Sequence, residues 1–179
     1  DCLNFGCVPS KALIAAGKQA HAMGAGAAFG VTPVVPEVGY AAAKHHVRNV
    51  IDTIAPVDSQ ERFEGVGVRV IREYGKFISS NEVQAGDAII TARRVVIATG
   101  SSPFVPSIPG IENVPYFTNE TIFDLQAQPE HLIVIGGWPK GMGIAQAHRR
   151  LGSKVTVIEG VKAMGKDDPE MAAVILDNL

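Results

Sequence analysis

The sequence predicts an α/β fold that includes a small antiparallel meander, and three observations lead there. From His131, "HLIVIGGWPKGMGIAQAHRRLGSKVTVIEG" reads as strand, glycine turn, helix and strand. Between Val68 and Gly100 apolar and polar residues alternate, with "SSN" and "AGD" as turns. Ahead of both lie two stretches with helical spacing.

Taken in order, "PSKALIAAGKQAHAMGAGAAFG" is an alanine-rich helix, with Pro9 in the first turn, where a missing N–H costs nothing. Gly24 to Gly30 dissolve its end, and "VTPVVPEVG" is a proline-bearing loop. A second helix starts at Tyr40, with Val47, Val50, Ile51 and Ile54 at helical spacing; Pro56 should kink or divide it. The meander comes next and is expected to end in a buried strand, Val95–Ala98. A proline-rich connector then leads to a short helix around Glu120–Leu125. Within the β-α-β part the helix is expected near Gly141–Leu151. Asp168 and Pro169 form an N-cap and first-turn pair for a last helix, which is expected to run off the end of the chain.

The 179 residues suit one full domain or two partial ones, and a hydrophobic fraction of 46% with 19 glycines fits a soluble, well-packed chain rich in turns. A formal net charge of −2, with both signs interspersed, leaves no electrostatic footprint for nucleic acid or an anionic membrane. No apolar run approaches the ~18 residues of a bilayer span. The two cysteines do not make a secreted disulfide framework, so a cytoplasmic location is the expectation.

Both cysteines lie in "DCLNFGCVPSK", at the mouth of the first helix. A bridge closing so short a loop is worth only about 2 kcal/mol in the chain-entropy model, a weak motive for a structural staple. Cys7 stands where unpaired backbone N–H groups favour a thiolate. Cys2, one short loop away, is placed to open first and attack a substrate, and Lys11 adds positive charge one turn into the helix. A metal site would need further cysteines or histidines at ligand spacing, and the adjacent His45 and His46 point in different directions. From spacing alone, redox chemistry and an inert core pair both stay open.

"CLNFGCVPSK" resembles the active-site signature of the pyridine nucleotide–disulfide oxidoreductases, a flavoenzyme family, and the start Asp1-Cys2-Leu3-Asn4 is similar to its mercuric-reductase and dihydrolipoamide-dehydrogenase branch. The resemblance implies Rossmann-like FAD- and NAD(P)-binding domains. It also implies a redox-active Cys2–Cys7 disulfide, with Cys7 against the flavin as a charge-transfer thiolate, Cys2 as the interchange thiol and Lys11 close to the ring. "TARRVVIATGSSPFVPSIPG" is similar to the family's second dinucleotide-binding segment, which implies that Thr99 and Gly100 pass beside FAD. A glycine after a strand lets backbone approach a ligand closely. "REYGKF" is similar to the family strand that passes the adenine, which adds Gly75 and Lys76, with ordinary strand residues as the alternative.

Glu159 follows Gly136 by 23 residues, near the distance at which a carboxylate meets an adenosine ribose, and an acid there favours NAD over NADP. Gly136, Gly137 and Gly141 are the candidate coenzyme residues of the turn. In G-x-G-x-x-G the middle glycine lets backbone reach the pyrophosphate, and here that position is Trp138. The resemblance adds two more departures: the family has an apolar residue where Lys140 stands and an acid where Gly143 stands. The indole is expected to weaken NADH binding. The counter-reading is that it swings aside as a gate while Lys140 pairs with phosphate.

On this basis residues 1–108 read as a partial FAD-binding domain lacking its first glycine motif, 109–130 as a connector and 131–179 as the start of an NAD(P)-binding domain. The chain is expected to be an internal portion of a larger, homodimeric enzyme. The implied activity passes electrons between NAD(P)H, FAD and the Cys2–Cys7 disulfide to a disulfide, lipoamide or metal-ion substrate. Two other readings stand beside it. One is a non-catalytic flavin-binding or interaction module with a degenerate nicotinamide site; the other is a thiol–disulfide module that works without flavin.

Overall fold

The computed structural model describes residues 2–179, and the chain forms two compact units. One takes the chain up to Thr53 and again from Val105 to Leu179; the other is Ile54–Phe104. This division follows contacts, whereas the one drawn at residues 108 and 130 follows motifs.

The first unit opens with a single turn, α1 (Cys2–Phe5), and continues into α2 (Cys7–Gly24). Helix α2 buries Pro9, Ala12, Leu13, Gly17 and Ala20, a stripe at three- and four-residue spacing that faces the core. As expected it dissolves at Gly24; a 3-10 turn, Gly26–Phe29, closes on Gly30 in the left-handed conformation (φ 72°). Helix α3 (Tyr40–Ile54) buries Tyr40, Val47 and Ile51. Pro56 brings it to an end, standing in the first turn of a 3-10 segment, Ala55–Asp58.

In the second unit Ser59 caps α4 (Gln60–Gly65) by accepting a hydrogen bond from the Arg62 N–H. The meander is β1 (Gly75–Phe77), β2 (Glu82–Ala85) and β3 (Ala88–Thr91), antiparallel throughout, with Gly75 opposite Ala85 and Glu82 opposite Thr91. One expectation fails here. Val95–Ala98 is not a strand, and Val96 and Ile97 are 88% and 72% exposed. A strand needs a ladder to pair with, and no strand among the described residues lies beside this segment.

The first unit resumes with two 3-10 turns, Ile111–Asn113 and Ile122–Asp124, the second at the place of the short helix expected in the connector. Then come β4 (His131–Ile135), α5 (Pro139–Arg150) and β5 (Lys154–Ile158), with His131 opposite Lys154 in a parallel register. The helix starts two residues earlier than Gly141 because Pro139 sits well in a first turn. Helix α6 (Pro169–Asp177) is capped by the Asp168 carboxylate, which accepts from the N–H groups of Glu170 and Met171. It continues to Asp177, two residues before Leu179, and the Asn178 side chain donates to the Val174 carbonyl. Among the described residues no helix is long and apolar enough to cross a membrane.

The core of this unit lies where α2, α3 and α5 meet, built from Ala12, Leu13, Tyr40, Val47, Ile51, Ala147 and Leu151. Helices α2 and α5 cross closely because Gly17 lies against Ala147, where a Cβ would come within 3.1 Å of the Ala147 carbonyl oxygen. In the same core His148 is fully buried. It is held by the Tyr40 hydroxyl at 3.2 Å and by the Ile144 carbonyl at 3.0 Å, with Lys44 the nearby positive charge. Burial pushes its imidazole below the ordinary 6.5, further than the Ile144 carbonyl restores it. The unfolded chain therefore takes up a proton near pH 6.5 before the folded chain does. Stability should accordingly be full above that pH and fall as the pH drops below it. Urea titrations at pH 7.5 and about pH 5.5 test this: the difference should shrink in His148→Gln, and an equal difference in that variant would refute the assignment.

Candidate functional site

Leu3 and Val8 pack against the core, and Pro9 is buried. The apolar side of the first turn is thereby fixed inward, and Cys2 and Cys7 are left exposed. The two sulfurs are bonded at 2.03 Å, with Cα atoms 4.7 Å apart. Cys7 is the first residue of α2, and no side chain caps that end, since its N-cap is Gly6. No side chain therefore competes for the positive end of α2 at Cys7, where Pro9 has no N–H and that of Ser10 donates to the Gly6 carbonyl at 3.2 Å. Lys11 is exposed one turn along the same helix. On the other side Asn119 of the connector donates from Nδ2 to the Phe5 carbonyl at 3.2 Å, tying down the loop between the cysteines.

The remaining flavin candidates lie in the second unit. Gly75 and Lys76 are exposed on β1, paired with Ala85 and Gln84. Thr99 and Gly100 are in exposed chain without regular secondary structure, and Gly100 takes φ 72°, open to glycine at little cost.

The glycine turn between β4 and α5 is described in full. Gly136 has φ 114°, and its N–H donates to the Ile158 carbonyl at 2.8 Å, extending the parallel ladder by one bond. A Cβ on Gly141 would come 2.2 Å from the Gly136 carbonyl oxygen, so helix and strand close together only because that atom is missing. Glu159 accepts from the N–H of Gly137 at 2.8 Å and of Val161 at 3.2 Å. These bonds, the Gly137 one foremost, hold its carboxyl below the usual carboxylate range. The structure thus brings Gly136, Gly137, Gly141 and Glu159 together.

Trp138 is the N-cap residue of α5 and 42% exposed, with Cδ1 3.8 Å from where a Gly136 Cβ would stand. Lys140 is exposed beside it. Gly143 faces α2, where a Cβ would meet Ile14 Cδ1 at 3.3 Å. Sequence reasoning passed over Lys166, whose ammonium lies 4.8 Å from the centre of the indole. It gave no signal, being one more lysine in a loop.

The family model for pyridine nucleotide-disulphide oxidoreductases matches residues 1–179. The chain is 33% identical over 175 residues to a mercuric reductase of Bacillus cereus, covering 97% of this chain and 28% of that protein. It is 31% identical over 180 residues to dihydrolipoyl dehydrogenase 2, chloroplastic, of Arabidopsis thaliana, covering 96% and 31%. Among solved structures, the HOCl-induced flavoprotein disulfide reductase RclA from Escherichia coli superposes with a TM-score of 0.77 at 23% identity, over 99% of this chain and 38% of that one. That likeness shows the fold, a Rossmann-like α/β architecture with a small antiparallel sheet. The chain spans between 28% and 38% of the length of these proteins.

Proposed function

The chain belongs to the pyridine nucleotide–disulfide oxidoreductase family, and from that premise we propose that its Cys2–Cys7 disulfide is the redox centre of a flavin-dependent oxidoreductase. The observation that carries the reading is an exposed disulfide whose second sulfur begins an uncapped 18-residue helix. In this reading residues 1–108 serve FAD and residues 131–179 the pyridine nucleotide, in a cytoplasmic homodimer.

The first unit offers a flavin partner a solvent-facing disulfide with Lys11 one turn on. Within the first unit Lys11 would lie toward it; Thr99, Gly100, Gly75 and Lys76, in the second unit, stay flavin candidates on their motifs alone. Bound, the flavin would supply two electrons at a time. Two electrons and one proton convert the disulfide into a Cys2 thiol and a Cys7 thiolate, the latter favoured by the N–H groups of α2. Cys2, deprotonated, attacks one sulfur of a substrate disulfide, and the other leaves as a thiol with that proton. Cys7 then attacks Cys2, releases the second substrate thiolate and restores the bridge.

The glycine turn fits a pyridine nucleotide less well as it stands. Trp138 lies beside Gly136, and the Gly137 N–H is already given to Glu159. No electron step is drawn through it. If the turn opens, the ionised Glu159 favours NAD over NADP, since a further phosphate would be repelled. The closed turn is also what favours the second reading, a non-catalytic flavin-binding module.

An anaerobic visible spectrum with FAD tests both. Retained flavin bands that gain a long-wavelength shoulder on two-electron reduction support the redox centre. Flavin reduced by dithionite but untouched by NADH supports the second reading. Failure to retain flavin would leave only a thiol–disulfide module.

A further inference from the structure

The glycine turn is closed by its own chain. After β5 the segment from Val161 to Asp168 folds back over it. There the Met164 N–H donates to the Gly137 carbonyl at 2.8 Å. Met164 takes a positive φ of 56° in doing so, a conformation that non-glycine residues adopt only when their surroundings demand it. Ala163 occupies the space that Gly137 leaves free, where a Cβ would come within 2.9 Å of the alanine's own. These two contacts fix the loop to the backbone of the turn. Lys166, at the end of that loop, is thereby brought to lie 4.8 Å from the centre of the Trp138 ring. Trp138 in turn stands beside Gly136, at the position whose missing side chain would admit a pyrophosphate.

We propose that Lys166 and Trp138 form a latch across the turn, and that Lys166 is a residue governing coenzyme binding that the glycine fingerprint does not contain. The proposal rests on the reading of this turn as the pyridine-nucleotide site. The backbone contacts of Met164 and Ala163 leave the turn itself in place; the cation–π pair holds the indole over it. A dinucleotide must displace the indole, so its affinity is reduced by the fraction of molecules in which the latch is closed. A cation over an aromatic face at an exposed site shifts such an equilibrium by about two- to fivefold. An ammonium placed to grip phosphate would have the opposite effect, tightening binding by its presence, and the sign decides between the two.

Trp138 is the chain's single tryptophan, so its fluorescence reports the latch without coenzyme, flavin or turnover. Lys166→Met, which keeps the aliphatic stem and removes the charge, should raise acrylamide quenching of Trp138. It should also tighten NADH binding by about two- to fivefold. Lys166→Arg keeps a cation on the ring and should keep both properties of the parent chain. Unchanged quenching in Lys166→Met overturns the latch. So does weaker NADH binding in that variant, which would make Lys166 an anion contact. If the latch alone is wrong, Trp138→Gly will bind NADH more tightly than the parent chain while Lys166→Met will not. If the coenzyme reading is wrong, NADH will bind to none of the three even where the quenching responds, and the proposal falls with it.

Discussion

Cys7→Ser should reduce turnover on a small disulfide to background, a loss of about a thousandfold or more, while the chain stays folded. The bridge closes so short a loop that its removal costs only about 2 kcal/mol, and the apolar residues around it keep their contacts. The two cysteines are not equivalent, and this makes the prediction sharper. Cys7 begins α2 with backbone N–H groups about it, whereas Cys2 sits on the single turn α1. Cys2→Ser should also stop turnover, because the attacking thiol is gone, yet it leaves Cys7 as a free thiolate. In flavin-loaded protein Cys2→Ser should therefore show long-wavelength absorbance without added reductant, with a pH midpoint below the ~8.5 of an ordinary thiol. Cys7→Ser should show none. Identical spectra from the two variants would remove the division of roles, even if both were inactive.

What the sequence made legible is what is encoded locally. Pro56 ends α3 through its own ring and missing N–H, and Asp168 caps α6 through a carboxylate within reach of the next turn. The cysteine pair is equally local, as is the strand–turn–helix layout, since Gly136 and Gly141 are five residues apart and meet across one turn. Val95–Ala98 departs from expectation for the opposite reason. Its residue types fit a buried strand, but burial is conferred by neighbours, and here the segment has no ladder among the described residues. The Tyr40–His148 pair and the Lys166–Trp138 contact were illegible on the same ground. Each joins residues far apart in sequence through a packing that no spacing rule contains. The departures at Trp138 and Gly143 were visible as departures; that Gly143 faces Ile14 of α2 was not.

Gly141→Ala should destabilise the chain by about 2 kcal/mol or more, while the same change two residues later, Gly143→Ala, should stabilise it slightly. Both sites lie in α5, residue 141 in its first turn and residue 143 further in, where alanine is better than glycine by about 1 kcal/mol on propensity alone. The surroundings decide the sign. A Cβ on residue 141 would stand 2.2 Å from the Gly136 carbonyl oxygen and 3.3 Å from Val134 Cγ1. That carbonyl has nowhere to go. The N–H of Gly136 is bonded to Ile158, the N–H of Gly137 to Glu159, and the Gly137 carbonyl to Met164. Relief requires α5 to lift from β4 or the turn to come apart, and overpacking of this kind costs about 1–3 kcal/mol or more, beyond what propensity returns. At residue 143 the new methyl meets only the far end of the Ile14 side chain at 3.3 Å, which can turn aside. Urea midpoints for the two variants give the comparison directly. Midpoints moving in the same direction would mean that the turn is not held as tightly as its hydrogen bonds require, and that the closeness of Gly141 to Gly136 plays no part in holding the glycine turn against the sheet.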